Sequence, residues 1–125
     1  MLALCDHMKT PVKLLFKGEM AATISKFSYA TPWASSHGEF IDKELGEKLA
    51  AVTAMLMYDL ELEEAELSEV EEEIMWEKKL SELGISSSDL DLDKDEYWTV
   101  RCDDQSIDPV RAIRYYLDGL LEWRA

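Results

Sequence analysis

The chain has 125 residues, and 47% of them are hydrophobic, a share that is normal for a globular domain. Twenty-seven acidic residues against 13 basic ones give a formal net charge of −14. This charge disfavours direct binding to nucleic acid or to an anionic membrane surface, because phosphate groups would be repelled. No apolar run approaches the roughly 20 residues that span a bilayer, and the length suits one domain over residues 1–125.

The first third of the chain predicts an antiparallel sheet. Alternating apolar side chains predict a half-buried strand over 12–16, a turn over 17–19 and a returning strand over 20–29. A proline and a glycine interrupt the segment 31–38, which is therefore predicted to be a loop. A short third strand is expected over 39–41.

Two helices are predicted in the middle of the chain. Asp42 is suited to cap the first, and Ser68 with Glu71 matches the capping-box pattern at the start of the second. Gly84 stands where a left-handed residue ends a helix. The apolar stripe of the first helix comprises Leu45, Leu49, Val52, Leu56 and Leu60, widened by Met55 and Met57. The predicted buried side of the second comprises Val70, Ile74, Trp76, Leu80 and Leu83. A break near 61–67 makes the pair an αα-hairpin.

The C-terminal third predicts one strand and leaves the last segment open. Residues 97–102 are predicted to form a strand, because alternate residues, Trp98, Val100 and Cys102, are apolar and would lie on one face. Asp108 and Pro109 resemble the start of a helix over 109–118, and this helix, followed by a final strand over 120–124, is slightly favoured. The alternative is a hairpin, since Asp118-Gly119 is a strong turn signal between two apolar runs.

These elements come in blocks, which predicts the α+β class. The expected architecture is a small antiparallel sheet, built from the N-terminal hairpin and C-terminal strands, packed against the αα-hairpin. Residues 1–9 are expected to be frayed or disordered, and either Met1 or Met8 suits a translation start. With only two cysteines and no signal-like start, the chain is expected to be cytoplasmic.

Motifs for catalysis or metal binding are incomplete. The aspartates at 89, 91, 93 and 95 resemble the opening of a calcium loop, but Lys94 and Val100 replace the glycine and glutamate that such a loop needs. His37 has no nucleophile elbow or metal-binding partner motif nearby and is expected to be an exposed loop histidine. We assign no catalytic residue, no metal and no cofactor, and expect the protein not to be an enzyme.

The acidic side chains are concentrated in one part of the chain. Residues 49–108 hold nineteen acids and four bases, whereas 1–48 is neutral and 109–125 carries +1. No lysine or arginine occurs in 49–77. The candidate partner-binding residues are Glu61, Glu63, Glu64, Glu66, Glu69, Glu72, Glu73 and Glu77, together with Trp33 as an aromatic anchor on a loop. Like charges at helical spacing repel, so a basic partner is favoured modestly over a merely solvated face.

The sequence therefore predicts a small acidic interaction or inhibitor protein that binds a basic protein surface. In composition alone this is the character of immunity-type inhibitors and nucleic-acid mimics of bacteria or phages, whose targets include nucleases and other nucleic-acid-binding proteins. The alternative is a subunit or adaptor of a larger assembly joined by hydrophobic contacts through Met55, Met57, Trp33 and the aromatic C-terminus. An enzyme has least support.

Overall fold

The protein is mixed α/β, and its computed structural model describes residues 10–30 and 32–124. The predicted frayed segment 1–9 lies outside the described residues. The strands are β1 (Pro11–Phe16), β2 (Glu19–Ala30), β3 (Trp33–Phe40), β4 (Trp98–Cys102), β5 (Ile107–Pro109), β6 (Arg111–Tyr115) and β7 (Leu120–Arg124). The helices are α1 (Lys43–Glu64) and α2 (Glu69–Leu83), followed by 3-10 segments at Ser87–Asp93 and Asp95–Tyr97.

All seven strands belong to one antiparallel sheet with the order β5-β4-β1-β2-β3-β7-β6. Its two outermost strands, β5 and β6, are consecutive in the chain and are separated only by Val110. The Val110 N–H donates to the Trp98 carbonyl at 3.3 Å. The sheet therefore curves into a half-barrel whose two edge strands follow one another in the chain.

The predicted small sheet packed on an αα-hairpin is wrong. The sheet is the main body of the molecule, and α1 packs on it through buried residues such as Leu49, Val52 and Met55. The buried Thr53 hydroxyl accepts a hydrogen bond from the Tyr115 N–H at 3.0 Å, joining α1 to β6. By contrast, α2 buries only Leu80 among its residues.

The predicted loop 31–38 is also wrong, since Trp33 to Gly38 form most of β3. This strand lies inside the sheet, paired with β2 on one side and β7 on the other. Its core-facing positions are small: Ala34, Ser36 and Gly38 are buried. Such residues give little strand signal, but here the two neighbouring strands supply the pairing that overrides local preference.

The slightly favoured helix over 109–118 is wrong, and the hairpin alternative is confirmed. β6 and β7 pair through a turn in which Gly119 has φ +100°. The Asp118 carboxylate accepts a hydrogen bond from the Leu120 N–H at 3.0 Å, which fixes the turn locally.

The core lies between the concave face of the sheet and α1. Trp98, Leu14, Leu49 and Leu121 are each fully buried there. The Trp98 indole N–H donates to the Leu92 carbonyl at 2.7 Å, so the first 3-10 segment is tied to the core. Among the described residues, no helix is both long enough and apolar enough to cross a membrane.

Candidate functional site: an acidic groove between the two helices

A groove of about 310 Å³ runs between the end of α1 and the beginning of α2. Its lining combines five carboxylates with two apolar side chains. These residues are Asp59, Leu62, Glu63, Glu69, Glu72, Glu73 and Trp76. It is the place in the described structure where the acids of both helices converge on one concavity.

Local sequence signals position the two walls of the groove. The Asp42 carboxylate caps α1 by accepting from the Glu44 N–H at 3.0 Å, as predicted. The Ser68 hydroxyl caps α2 by accepting from the Glu71 N–H at 3.3 Å, and it is also 2.9 Å from the Glu71 carboxylate. Gly84 ends α2 in the left-handed conformation, again as predicted.

Three of the groove glutamates occupy the first two turns of α2. Glu69, Glu72 and Glu73 stand at i, i+3 and i+4, which places them on one side of the helix. The positive end of the helix dipole partly offsets their repulsion, most strongly at Glu69 in the first turn. The helix therefore tolerates an arrangement of like charges that would weaken it further along.

No cation within the described residues neutralises the groove. The ion pairs among the described residues are Lys48–Glu44 at 4.0 Å and Lys94–Asp91 at 3.9 Å, and neither involves a groove carboxylate. Lys79, on α2, instead lies over the Tyr58 ring at 5.1 Å from its centroid. The groove thus presents uncompensated negative charge.

The floor of the groove is apolar and leads into a smaller cavity. Leu62 is buried and Trp76 is half-buried. Trp76 and Asp59 also line an adjoining cavity of about 170 Å³, together with Val52, Met55, Leu56, Leu90 and Asp93. Burial raises the pKa of the Asp93 carboxyl, and the neighbouring Asp95 and Asp91 carboxylates add to this rise. A long side chain with an apolar stem and a cationic end matches these surroundings.

Four of the predicted partner-binding residues are brought together, and the others are not. Glu63, Glu69, Glu72 and Glu73 line the groove. The remaining predicted glutamates, Glu61, Glu64, Glu66 and Glu77, are exposed outside it.

The sequence-based prediction missed three groove residues, Asp59, Leu62 and Trp76, of which Asp59 and Trp76 have a clear spacing relative to the predicted glutamates. Asp59 precedes Glu63 by four positions, and Trp76 follows Glu72 by four and Glu73 by three. Helical spacing alone was enough to place both beside the acids.

Trp33 does not contribute to this site. It lies on β3, where the Arg114 guanidinium carbon stands 4.7 Å from its ring centroid. The prediction of a loop tryptophan is therefore wrong.

His37 also lies on β3 rather than in an exposed loop. Its half-buried ring packs so closely on Gly119 that a Cβ there would overlap it. It borders an open depression of about 370 Å³ with Lys43, Glu47, Tyr115 and Asp118 among its lining. Burial raises the pKa of the Tyr115 phenol, and the charges of Asp118 and Glu39 add to this effect.

The aspartate series forms 3-10 turns. Within residues 10–30 and 32–124, no group of three or more His, Cys, Asp or Glu side chains is placed to hold a metal ion.

Together, the fold and the groove define a mixed α/β protein whose curved sheet carries an acidic helical appendage. Comparisons of the chain with protein-family models, with curated proteins and with solved structures find no match.

Proposed function

We propose that this protein is a small acidic interaction or inhibitor protein that binds a basic protein surface through the groove between α1 and α2. The observation that carries the proposal is the convergence of five carboxylates, none in an ion pair among the described residues, around Trp76. Such a site suits an arginine or lysine better than any neutral ligand. The protein acts by occupying the partner's basic surface, and no reaction is required of it.

The groove chemistry suggests how one partner side chain is held. A guanidinium placed over the Trp76 ring gains a cation–π contact, and its N–H groups are then free to donate to the carboxylates of Glu72 or Glu73. Charge-assisted hydrogen bonds of this kind are stronger than neutral ones. A nuclease or another nucleic-acid-binding protein presents such arginines where it normally contacts phosphates, so the carboxylates take the place of the phosphate oxygens.

Charge placement also supports rapid association. Residues 59–77, which span the end of α1 and the first part of α2, contain ten acids and no lysine or arginine. The electric field of the molecule therefore orients this segment toward a basic surface before contact. Screening by salt weakens this effect, because the Debye length falls from about 10 Å at 0.1 M to about 3 Å at 1 M ionic strength.

A titration with a fluorescent arginine-rich peptide tests the groove directly. The groove variant carries Glu69→Gln, Glu72→Gln and Glu73→Gln. A matched control carries Glu61→Gln, Glu64→Gln and Glu66→Gln, which removes the same charge from exposed positions outside the groove. We expect the groove variant to lose at least about tenfold in affinity, equivalent to about 1.4 kcal/mol, and the control much less. Equal losses in the two variants would mean that net charge, and not the groove, drives binding.

A subunit or adaptor of a larger assembly is the second candidate, favoured by one specific observation. Val70 and Ile74 of α2 were predicted to be buried but are 67% and 62% exposed. They lie four residues apart, so they form one apolar strip on the outer side of the helix. Of the residues that the sequence suggests for such contacts, Met55 and Trp123 are buried, and Met57 and Trp33 are half-buried.

Oligomeric state separates the two candidates. A stable oligomer at low micromolar concentration that dissociates in the Val70→Gln, Ile74→Gln double variant would favour the assembly subunit. A monomer that binds the arginine-rich peptide would favour the acidic interaction protein.

A further inference from the structure

On the far strands of the sheet, two arginines face each other. Arg111 on β6 and Arg124 on β7 are register partners. Both are exposed, and neither forms an ion pair or a side-chain hydrogen bond with any other residue that the structure describes. Like charges directly opposite on paired strands are destabilising, and the single Asp95 carboxylate in the adjoining cavity balances only one of the two positive charges.

The two arginines border a cavity of about 480 Å³ whose other walls are Pro32, Asp95 and Ala112. The Asp95 carboxylate accepts a hydrogen bond from the Ala112 N–H at 2.9 Å. Ala112 has φ +50° and lies in the irregular stretch of β6 between Arg111 and Arg114. A bulge of this kind redirects the side chains around it.

Arg114, on the same pair of strands, is in a different environment. Its guanidinium carbon lies 4.7 Å from the Trp33 ring centroid, it faces Glu122 in the strand register, and its Nε is buried without a hydrogen-bond partner among the described residues. Three of the four arginines of the chain thus lie on β6 and β7. Two of these three, Arg111 and Arg124, form no ion pair with a residue that the structure describes.

We propose that the cavity between Arg111 and Arg124 is a binding site for the carboxylate of a peptide C-terminus. Two guanidinium forks on facing strands supply several N–H donors in the planar geometry that a carboxylate accepts. With Asp95 in the wall, the lining carries a net charge of +1, which a single carboxylate neutralises. A doubly charged phosphate would leave an excess negative charge in a protein that already carries −14. The cavity exceeds the size of a bare carboxylate, which leaves room for the residue that bears it.

NMR titration of the isotope-labelled full chain tests this site, with the Arg111 and Arg124 side-chain N–H signals as the readout. The probe is acetyl-trialanine with a free carboxylate; the same peptide with an amidated C-terminus, acetate and inorganic phosphate are titrated in parallel. We expect saturable shifts with the free peptide in roughly the millimolar range, at least tenfold weaker binding of the amide, and several-fold weaker binding of acetate.

Three variants complete the experiment. Arg111→Gln and Arg124→Gln each remove one guanidinium, and either is expected to reduce peptide affinity at least fivefold. Arg101→Gln is the matched control, since Arg101 is exposed on β4 and does not line the cavity. If one cavity variant fails to fold, the other still tests the pair. Tighter binding of phosphate than of the peptide, equal binding of the amide and the free peptide, or unchanged affinity in both cavity variants would overturn the proposal. Acetate as strong as the peptide would overturn the assignment to a peptide terminus.

Discussion

The His37 ring packs against Gly119 at the turn between β6 and β7. Gly119 has φ +100°, a backbone conformation that side-chain-bearing residues rarely adopt, and the His37 ring occupies the space of its missing Cβ. Gly18, in the turn between β1 and β2, has φ +84° but nothing within 4 Å of the corresponding position. A side chain at Gly18 would therefore introduce backbone strain alone, whereas a side chain at Gly119 would introduce both backbone strain and steric overlap with His37.

Substituting alanine at each of these glycines is expected to give unequal costs. Gly18→Ala should lower the free energy of unfolding by about 1 kcal/mol through backbone strain alone. Gly119→Ala should cost about 1–3 kcal/mol more, because the histidine ring must also move. Urea denaturation followed by tryptophan fluorescence measures both, and equal costs would show that the ring is not held against the turn.

Asp93 gives a pH-dependent prediction at the residue scale. Its carboxyl pKa is raised by burial, so the folded protein holds this proton more tightly than the unfolded chain does. The charged form thus reduces stability above the raised pKa, and this penalty disappears as the pH falls below the ordinary value. Asp93→Asn is expected to increase the free energy of unfolding at pH 7 by less than about 1 kcal/mol, because the group is only partly buried.

The gain from Asp93→Asn should vanish in acid, which urea denaturation at pH 7 and at pH 3 measures. Asp91→Asn is the control, since Asp91 is exposed and lies 3.9 Å from Lys94 in an ion pair. If the stability gained by Asp93→Asn were the same at both pH values, burial of the charged carboxylate could not be its cause.

Residue-level predictions from sequence succeeded where the cause is local. Asp42, Ser68 and Gly84 cap or end helices through contacts within a few positions of themselves. Val70 and Ile74 have the spacing of a buried stripe but are exposed, because no sheet surface reaches that side of α2. Periodicity indicates which residues share a side, whereas burial depends on the neighbouring element.

At the scale of elements, α2 is attached to the rest of the molecule more weakly than α1. Its only buried residue among those described is Leu80, and its ends are held by the Ser68 cap and Gly84. A helix with so few buried contacts opens at a lower free energy than the strands of the core. One side of the groove, α1, is therefore held in place by the core, whereas the other side, α2, can change its position when a partner binds.

Hydrogen exchange is expected to reveal this difference. The α2 amides should exchange through local opening, and Leu80→Ala should lower their opening free energy by about 2 kcal/mol while protection of β1 and β2 changes little. Leu14→Ala, which removes a fully buried core side chain, should instead lower protection throughout. Uniform loss of protection in Leu80→Ala would mean that α2 unfolds only with the whole domain.

Strand prediction failed where pairing is determined by distant parts of the chain. β3 contains Ala34, Ser35, Ser36 and Gly38, which indicate a loop by composition, yet β7 pairs with it from more than eighty positions away. The β6–β7 hairpin was recognised only as an alternative, because Asp108-Pro109 is also a good helix start. In both cases the sheet provided hydrogen-bond partners that the local sequence does not reveal.

For the whole molecule, charge distribution was more predictable than topology. The location of the acidic segment follows from counting, and four of its glutamates indeed share the groove. The half-barrel could not be predicted, since its closure depends on β5 and β6 pairing with different strands on either side of Val110.

The most direct test of the acidic groove is a pull-down from the native cell lysate, in which three bait proteins are compared and the bound proteins are eluted with the same salt gradient. The baits are the wild-type protein, the groove variant (Glu69, Glu72 and Glu73 changed to Gln) and the control variant (Glu61, Glu64 and Glu66 changed to Gln). We predict that one basic protein is retained by the wild type and the control, elutes only at high salt, and is lost from the groove variant. Retention of that protein by all three baits, or its loss from both variants alike, would contradict a partner-binding role for the groove.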